Sequence, residues 1–84
     1  MNYPNGLTPV EQEVRMERAN QDVKWGIQNH DVPRWISILV EEVGKVAQAD
    51  NKGIRSRVRE RLVTTAAVAV AAIERLDRGE EIPA

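Results

Sequence analysis

Residues 62–73 read LVTTAAVAVAAI. Alanine interleaves the valines, and no strand pattern competes. Alanine is also the strongest helix former, and the stretch reads as helix. Around such a helix every side is apolar or small. A helix apolar all round is buried all round. Three short helices in one chain can hardly cover it, so a second subunit is expected to pack there, with the alanines allowing close approach.

The same helix extends in both directions. Ile54, Val58, Leu62, Ala69, Ile73 and Leu76 carry its apolar positions. Gly79 stops it, with Arg75 and Arg78 in the last turn, where cations suit a helix C-terminus. Upstream, Asp50-Asn51-Lys52-Gly53 has turn chemistry and ends a second helix. That helix is capped by Asp31, carries Pro33 in its first turn, and buries Trp35, Leu39, Val43 and Val46. Asn29-His30-Asp31 separates it from a first helix over about Pro9 to Gln28. Thr8 and Glu11 form a capping box for that helix, and Pro9 fits its first turn. Met16, Ala19, Val23 and Ile27 give its apolar stripe. Gly26 weakens its last turn. Residues 1–7 read as a loose arm and 80–84 as a tail, leaving one helical domain over 8–79. The expected fold is all-α: three helices per chain in a bundle completed by dimerisation through the third.

Bulk properties narrow the function. The chain has 84 residues, 42% hydrophobic and 30% charged, with a net charge of −1. A core this small is marginal alone, which also favours self-association. The balanced charge gives no support to nucleic-acid or membrane partners. The absence of cysteine removes thiolate chemistry and fits a reducing compartment. With no spanning segment and no signal-peptide order at the N-terminus, a cytoplasmic protein is expected. Arg55, Arg57, Arg59 and Arg61 spread around their helix and form no single basic stripe. His30 has no histidine or cysteine partner nearby, and a cap or loop hydrogen bond suits it better than metal ligation.

Two pairs of positions stand out. Residues 42 and 45 share a face of the second helix, and residues 61 and 64 share a face of the third. Carboxylates at all four would converge on magnesium, which takes oxygen ligands in near-octahedral order. The chain has Glu42, Lys45, Arg61 and Thr64 there, with Glu41 and Glu60 adjacent.

The segments RANQDVKWGIQNHDVPRWISILVEEVGKVAQA (18–49) and RERLVTTAAVAVAAIERL (59–76) carry a resemblance. They are similar to the MazG-like, all-α nucleotide pyrophosphohydrolases, especially the short phage and bacterial type. The resemblance covers about two thirds of the chain in collinear order. It implies helical dimers or tetramers that bind magnesium and split a nucleoside triphosphate into monophosphate and pyrophosphate. The family carries E-E-x-x-E on one helix and E-x-x-D, or a variant, on the next. Glu41 and Glu42 match the leading pair, and Lys45 stands in place of the third glutamate. Glu60 matches the second motif, while Arg61 and Thr64 replace its ligands.

The resemblance thus implies a catalytically impaired relative that binds a nucleotide or a protein partner in the former cleft. Lys45 and Arg61 either pair with Glu42 and with Glu41 or Glu60, or hold phosphates directly. The alternative is an active magnesium-dependent enzyme using Glu41, Glu42 and Glu60 as residual metal ligands. The resemblance also places Trp25 and Gln28 beside the nucleotide cleft, Trp25 to stack on a base and Gln28 to read its edge. Trp25 as a core anchor is an equal reading; Trp35 reads as core.

Overall fold

Helix α1 (Pro9–Trp25) begins where its cap is complete. The Thr8 hydroxyl accepts from the Glu11 N–H at 3.1 Å, and the Thr8 N–H donates to the Glu11 carboxylate at 3.0 Å. That hydrogen bond from the Thr8 backbone, and a second from its side chain, hold the Glu11 carboxyl below its ordinary pKa. In this computed structural model, which describes residues 6–78, α1 ends three residues short of the expected Gln28. Gly26 adopts φ 72°, a conformation costly for any residue with a Cβ, and turns the chain out of the helix. Its N–H still closes on the Asp22 carbonyl at 2.8 Å. Residues 1–5 of the expected arm, the stop at Gly79 and the tail over 80–84 lie outside the described residues.

Helix α2 (Val32–Asn51) starts on Asp31, whose carboxylate accepts from the Arg34 N–H at 3.0 Å. It ends in the turn at 50–53. Gly53 takes φ 72°, and the Ile54 N–H reaches back to the Ala49 carbonyl at 3.2 Å. This pairing satisfies carbonyls that the helix end would otherwise leave open. Helix α3 (Arg55–Asp77) follows directly, with Ile54 as its first flanking residue and no side-chain cap.

Among the described residues the chain is three helices with no strand. The bundle is open. Both α1 and α2 lie on α3, but no Cα of α1 comes within 8 Å of one in α2. The core sits between α2 and α3: Trp35, Val68 and Ala71, with Ile38, Leu39 and Ala72 packed against them. Among the described residues no helix is long and apolar enough to cross a membrane.

Two expectations about faces, on α2 and on α1, are corrected. On α2, Trp35 is buried and Leu39 and Val46 are half-buried, but Val43 is 56% exposed. Each residue turns the helix by about 100°, so steps of four drift about 40° each and carry Val43 off the face. A step of seven drifts only about −20°, which puts Glu42 nearly in line with Trp35. On α1, the apolar stripe faces away from α3: Met16 is 68% and Val23 89% exposed. The face on α3 is the opposite one, with Val14, Glu17 and Arg18 half-buried and Gln21 buried. On α3, only Ala67, Val68 and Ala71 of the 62–73 segment are buried within the chain, and Leu62, Val70 and Ile73 remain exposed.

Candidate functional site

Because α1 and α2 do not meet, α3 floors a groove between them. A cavity of about 150 Å³ lies there. Val68 and Ala71 of α3 and Ile38 of α2 give it apolar surface. Arg18, Gln21 and Trp25 line the α1 side, Gln28 the connection, and Trp35 and Glu42 the α2 side.

These walls are fixed by contacts that cross the groove's margins. The Arg18 guanidinium donates to Asp22 on its own helix and to Glu74 on α3, the latter at 2.7 Å. Burial works to lower the Arg18 pKa, but the two carboxylates outweigh it and hold the group above its ordinary value. Gln21 donates to the Thr64 carbonyl at 3.5 Å. The Arg78 guanidinium donates to the Gln28 carbonyl at 3.3 Å and to Asn29 Oδ1 at 2.8 Å, tying the α1–α2 connection to the end of α3. The His30 ring meets Trp35 edge-on, with centroids 5.1 Å apart. At the mouth Trp25 is half-exposed, with Lys24 Nζ 4.9 Å from its ring centroid.

Two residues of the lining each bury a polar atom that has no partner among the described residues. Trp35 is 4% exposed, and its Nε1–H finds no acceptor. Glu42 Oε1 accepts from Lys45 Nζ at 3.0 Å, but Oε2 is buried with no donor. A buried polar group without a partner costs about 1–3 kcal/mol, so each orphan marks a place where a bond to something else is worth making.

All but Glu41 of the residues singled out in the sequence fall into three places. Trp25, Gln28 and Glu42 share the cavity. Lys45 and Arg61 share a second groove, at the α2–α3 turn, with Lys52 and Arg57. Glu60 and Thr64 share a third, between α1 and α3, with Glu13 and Glu17. There the Thr64 hydroxyl lies 3.2 Å from both Glu17 Oε2 and the Glu60 carbonyl. Glu41 is exposed on α2.

The expected pairing is therefore half formed. Lys45 holds Glu42, while Arg61 makes no ion pair among the described residues. Glu41, Glu42 and Glu60 are not gathered, and among the described residues no group of three or more His, Asp or Glu is placed to hold a metal. The donor set does not fit magnesium, since of the two carboxylates in the lining Glu42 already gives one oxygen to the Lys45 ammonium group and Asp22 is held by Arg18.

Sequence reasoning missed Arg18, Gln21 and the indole N–H of Trp35. A signal existed for Gln21: residues 21, 25 and 28 recur at steps of four and three, so Gln21 belongs beside Trp25. Position 18 begins the same series and has Asp22 four residues on, but its second partner, Glu74, is 56 positions away. Comparisons with protein-family models, curated proteins and solved structures return no match to this chain.

Proposed function

We propose that this chain is a catalytically impaired relative of the MazG-like nucleotide pyrophosphohydrolases. It binds a nucleotide or a protein partner in the groove between α1 and α2, in the cytoplasm, and does not cut it. The observation that carries this reading is the 3.0 Å contact of Lys45 Nζ with Glu42 Oε1. An ammonium group stands where the resemblance puts a metal-binding carboxylate, and it occupies an oxygen that a metal would need. Trp25 and Gln28 line the same cavity as Glu42, which is the company the resemblance assigns them.

The test is turnover. Purified protein is incubated with a panel of nucleoside triphosphates and magnesium, and pyrophosphate release is followed. Release no faster than the protein-free blank is expected. Clear turnover that Glu42→Gln abolishes would overturn the reading in favour of the active enzyme.

Assembly belongs to the same proposal. Leu62, Val70 and Ile73 of α3 stand exposed on a single chain, as do Met16 and Val23 of α1. Exposed apolar positions on two helices suit burial against a second copy. Sedimentation equilibrium should give at least a dimer at micromolar concentration, and a monomer throughout that range would remove the homo-oligomer.

A further inference from the structure

We infer that α2 and α3 together form the face on which a second copy of this chain packs, each helix antiparallel to its own copy, with the two-fold axis passing between Ala66 and Ala69 of α3 and beside Val40 of α2. This rests on the homo-oligomer reading above, and it assigns the face, the direction and the register.

Two stripes draw the face. On α3, Val58, Leu62, Ala66, Ala69, Ile73 and Leu76 recur at steps of four and three. On α2, Val32, Ile36, Val40, Val43 and Ala47 do the same, and neither series holds a charged residue. Ile36, Val40, Val43, Leu62, Ile73 and Leu76 are each more than half exposed. At about 100° per residue, the α2 stripe lies on one flank of Trp35, while Ile38 and Glu42 lie on the other. On α3 the stripe and Ala71 likewise fall on opposite flanks of Val68. The cavity takes Ile38, Glu42 and Ala71, so both stripes share the far side of the α2–α3 layer. The exposed stripe of α1 has no second one beside it.

Two stripes make one interface when a single axis serves both. Trp35 packs beside Ala71, and Lys45 and Arg61 line one groove, so α2 and α3 run antiparallel and Val40, midway, stands level with Ala66. An axis there pairs Ala66 with Ala69, Leu62 with Ile73, and Val58 with Leu76 of the second copy. On α2 it pairs Val40 with its own copy, Ile36 with Val43, and Val32 with Ala47. Every pair is apolar on both sides, which is the self-complementarity a two-fold contact requires. The alanines beside the axis let α3 approach its copy closely.

Charge sets the direction. Arg55, Arg57, Arg59 and Arg61 crowd the N-terminal end of α3, and Glu74 and Asp77 stand at its other end. The arginines at that end turn elsewhere: Arg75 is buried, and Arg78 donates to Gln28 and Asn29. A parallel pair sets the four N-terminal arginines of both copies side by side, where they repel. An antiparallel pair carries them to the acidic end. In this register Arg59, which grips Glu13 in its own chain, also comes opposite Asp77 of the second copy. Within a single chain Asp77 makes no ion pair among the described residues.

The chain has no cysteine, so introduced ones report without background. A disulfide needs Cβ atoms about 3.5–4.5 Å apart. Leu62→Cys with Ile73→Cys is oxidised at a concentration where sedimentation finds the dimer, and read on a non-reducing gel. The two positions are about 16 Å apart along one helix, so a bond between them joins two chains. The double variant is expected to become mostly covalent dimer, and each single variant to link at least ten-fold less. Val40→Cys alone is expected to link across the axis, and Ala19→Cys on α1 is not. Ile73→Glu, at a position exposed in the single chain, should leave the circular dichroism spectrum unchanged and weaken the dimer at least ten-fold.

Leu62→Cys or Ile73→Cys linking alone as well as the double variant means parallel helices and overturns the inference. So does Ala19→Cys linking where the double variant does not, or a dimer that Ile73→Glu leaves intact. If the wild-type chain is dimeric and the double variant does not link, the direction and register fall and the homo-oligomer reading stands. If the wild-type chain is monomeric throughout, both fall.

Discussion

The two helices that rest on α3 do so by different means. Helix α2 brings Trp35, Ile38 and Leu39 against Val68, Ala71 and Ala72, and holds on by apolar packing. Helix α1 brings Glu13, Glu17, Arg18 and Gln21, and meets Arg59, Thr64 and Glu74. Burying apolar surface is worth about 25 cal/mol per Å² and is not weakened by charge screening, while exposed ion pairs give about 0–1 kcal/mol each and weaken in salt. The two docks of one chain therefore answer to different conditions.

The strongest way to break this contrast is Trp35→Ala. Removing a buried aromatic side chain costs about 3–5 kcal/mol, against roughly 4–13 kcal/mol for the stability of a chain this size. Urea denaturation should show the midpoint collapse. A shift of less than about 1 kcal/mol would mean that Trp35 does not anchor the core.

A smaller effect sharpens the α1 side. The Arg59 guanidinium grips both oxygens of Glu13, at 2.6 and 2.8 Å, and this hydrogen bonding lowers the Glu13 pKa. A carboxyl lowered in the folded state stabilises it above the ordinary carboxylate range and loses that contribution as pH falls through the lowered value. Glu13→Gln should thus be slightly less stable than wild type at neutral pH, and the gap should close in acid. Both residues are exposed, so the gap is small and high salt should shrink it too. A gap that persists unchanged in acid would show that the loss is not electrostatic.

The difference also explains what was legible in the sequence. Caps are local, so Thr8, Glu11, Asp31 and Gly53 announce helix ends that the structure bears out. The α2 face is apolar and was readable by period, apart from the drift that exposes Val43 and brings Glu42 inward. The α1 face that packs is the reverse of the one its periodicity predicts. Its stripe of Met16, Ala19 and Val23 is the better apolar pattern, but the partners of Glu13 and Arg18 lie 46 and 56 positions away and no periodicity announces them. For the site, Trp25, Gln28 and Glu42 line one cavity, and only the resemblance, not any spacing, put Trp25 and Gln28 near Glu42. The separation of Lys45 and Arg61 into another groove was not legible, because it depends on the angle at which α2 and α3 pack.

The gap between α1 and α2 has a dynamic consequence. With no apolar seam to α2, α1 is expected to open as a separate cooperative unit, its amides exchanging with solvent through an opening smaller than global unfolding. Helices α2 and α3 stay closed in that opening. Trp25 and Gln21 leave with α1, and with them one wall of the cavity. A ligand touching both walls must therefore order α1 as it binds, and slower exchange along 9–25 would be its footprint.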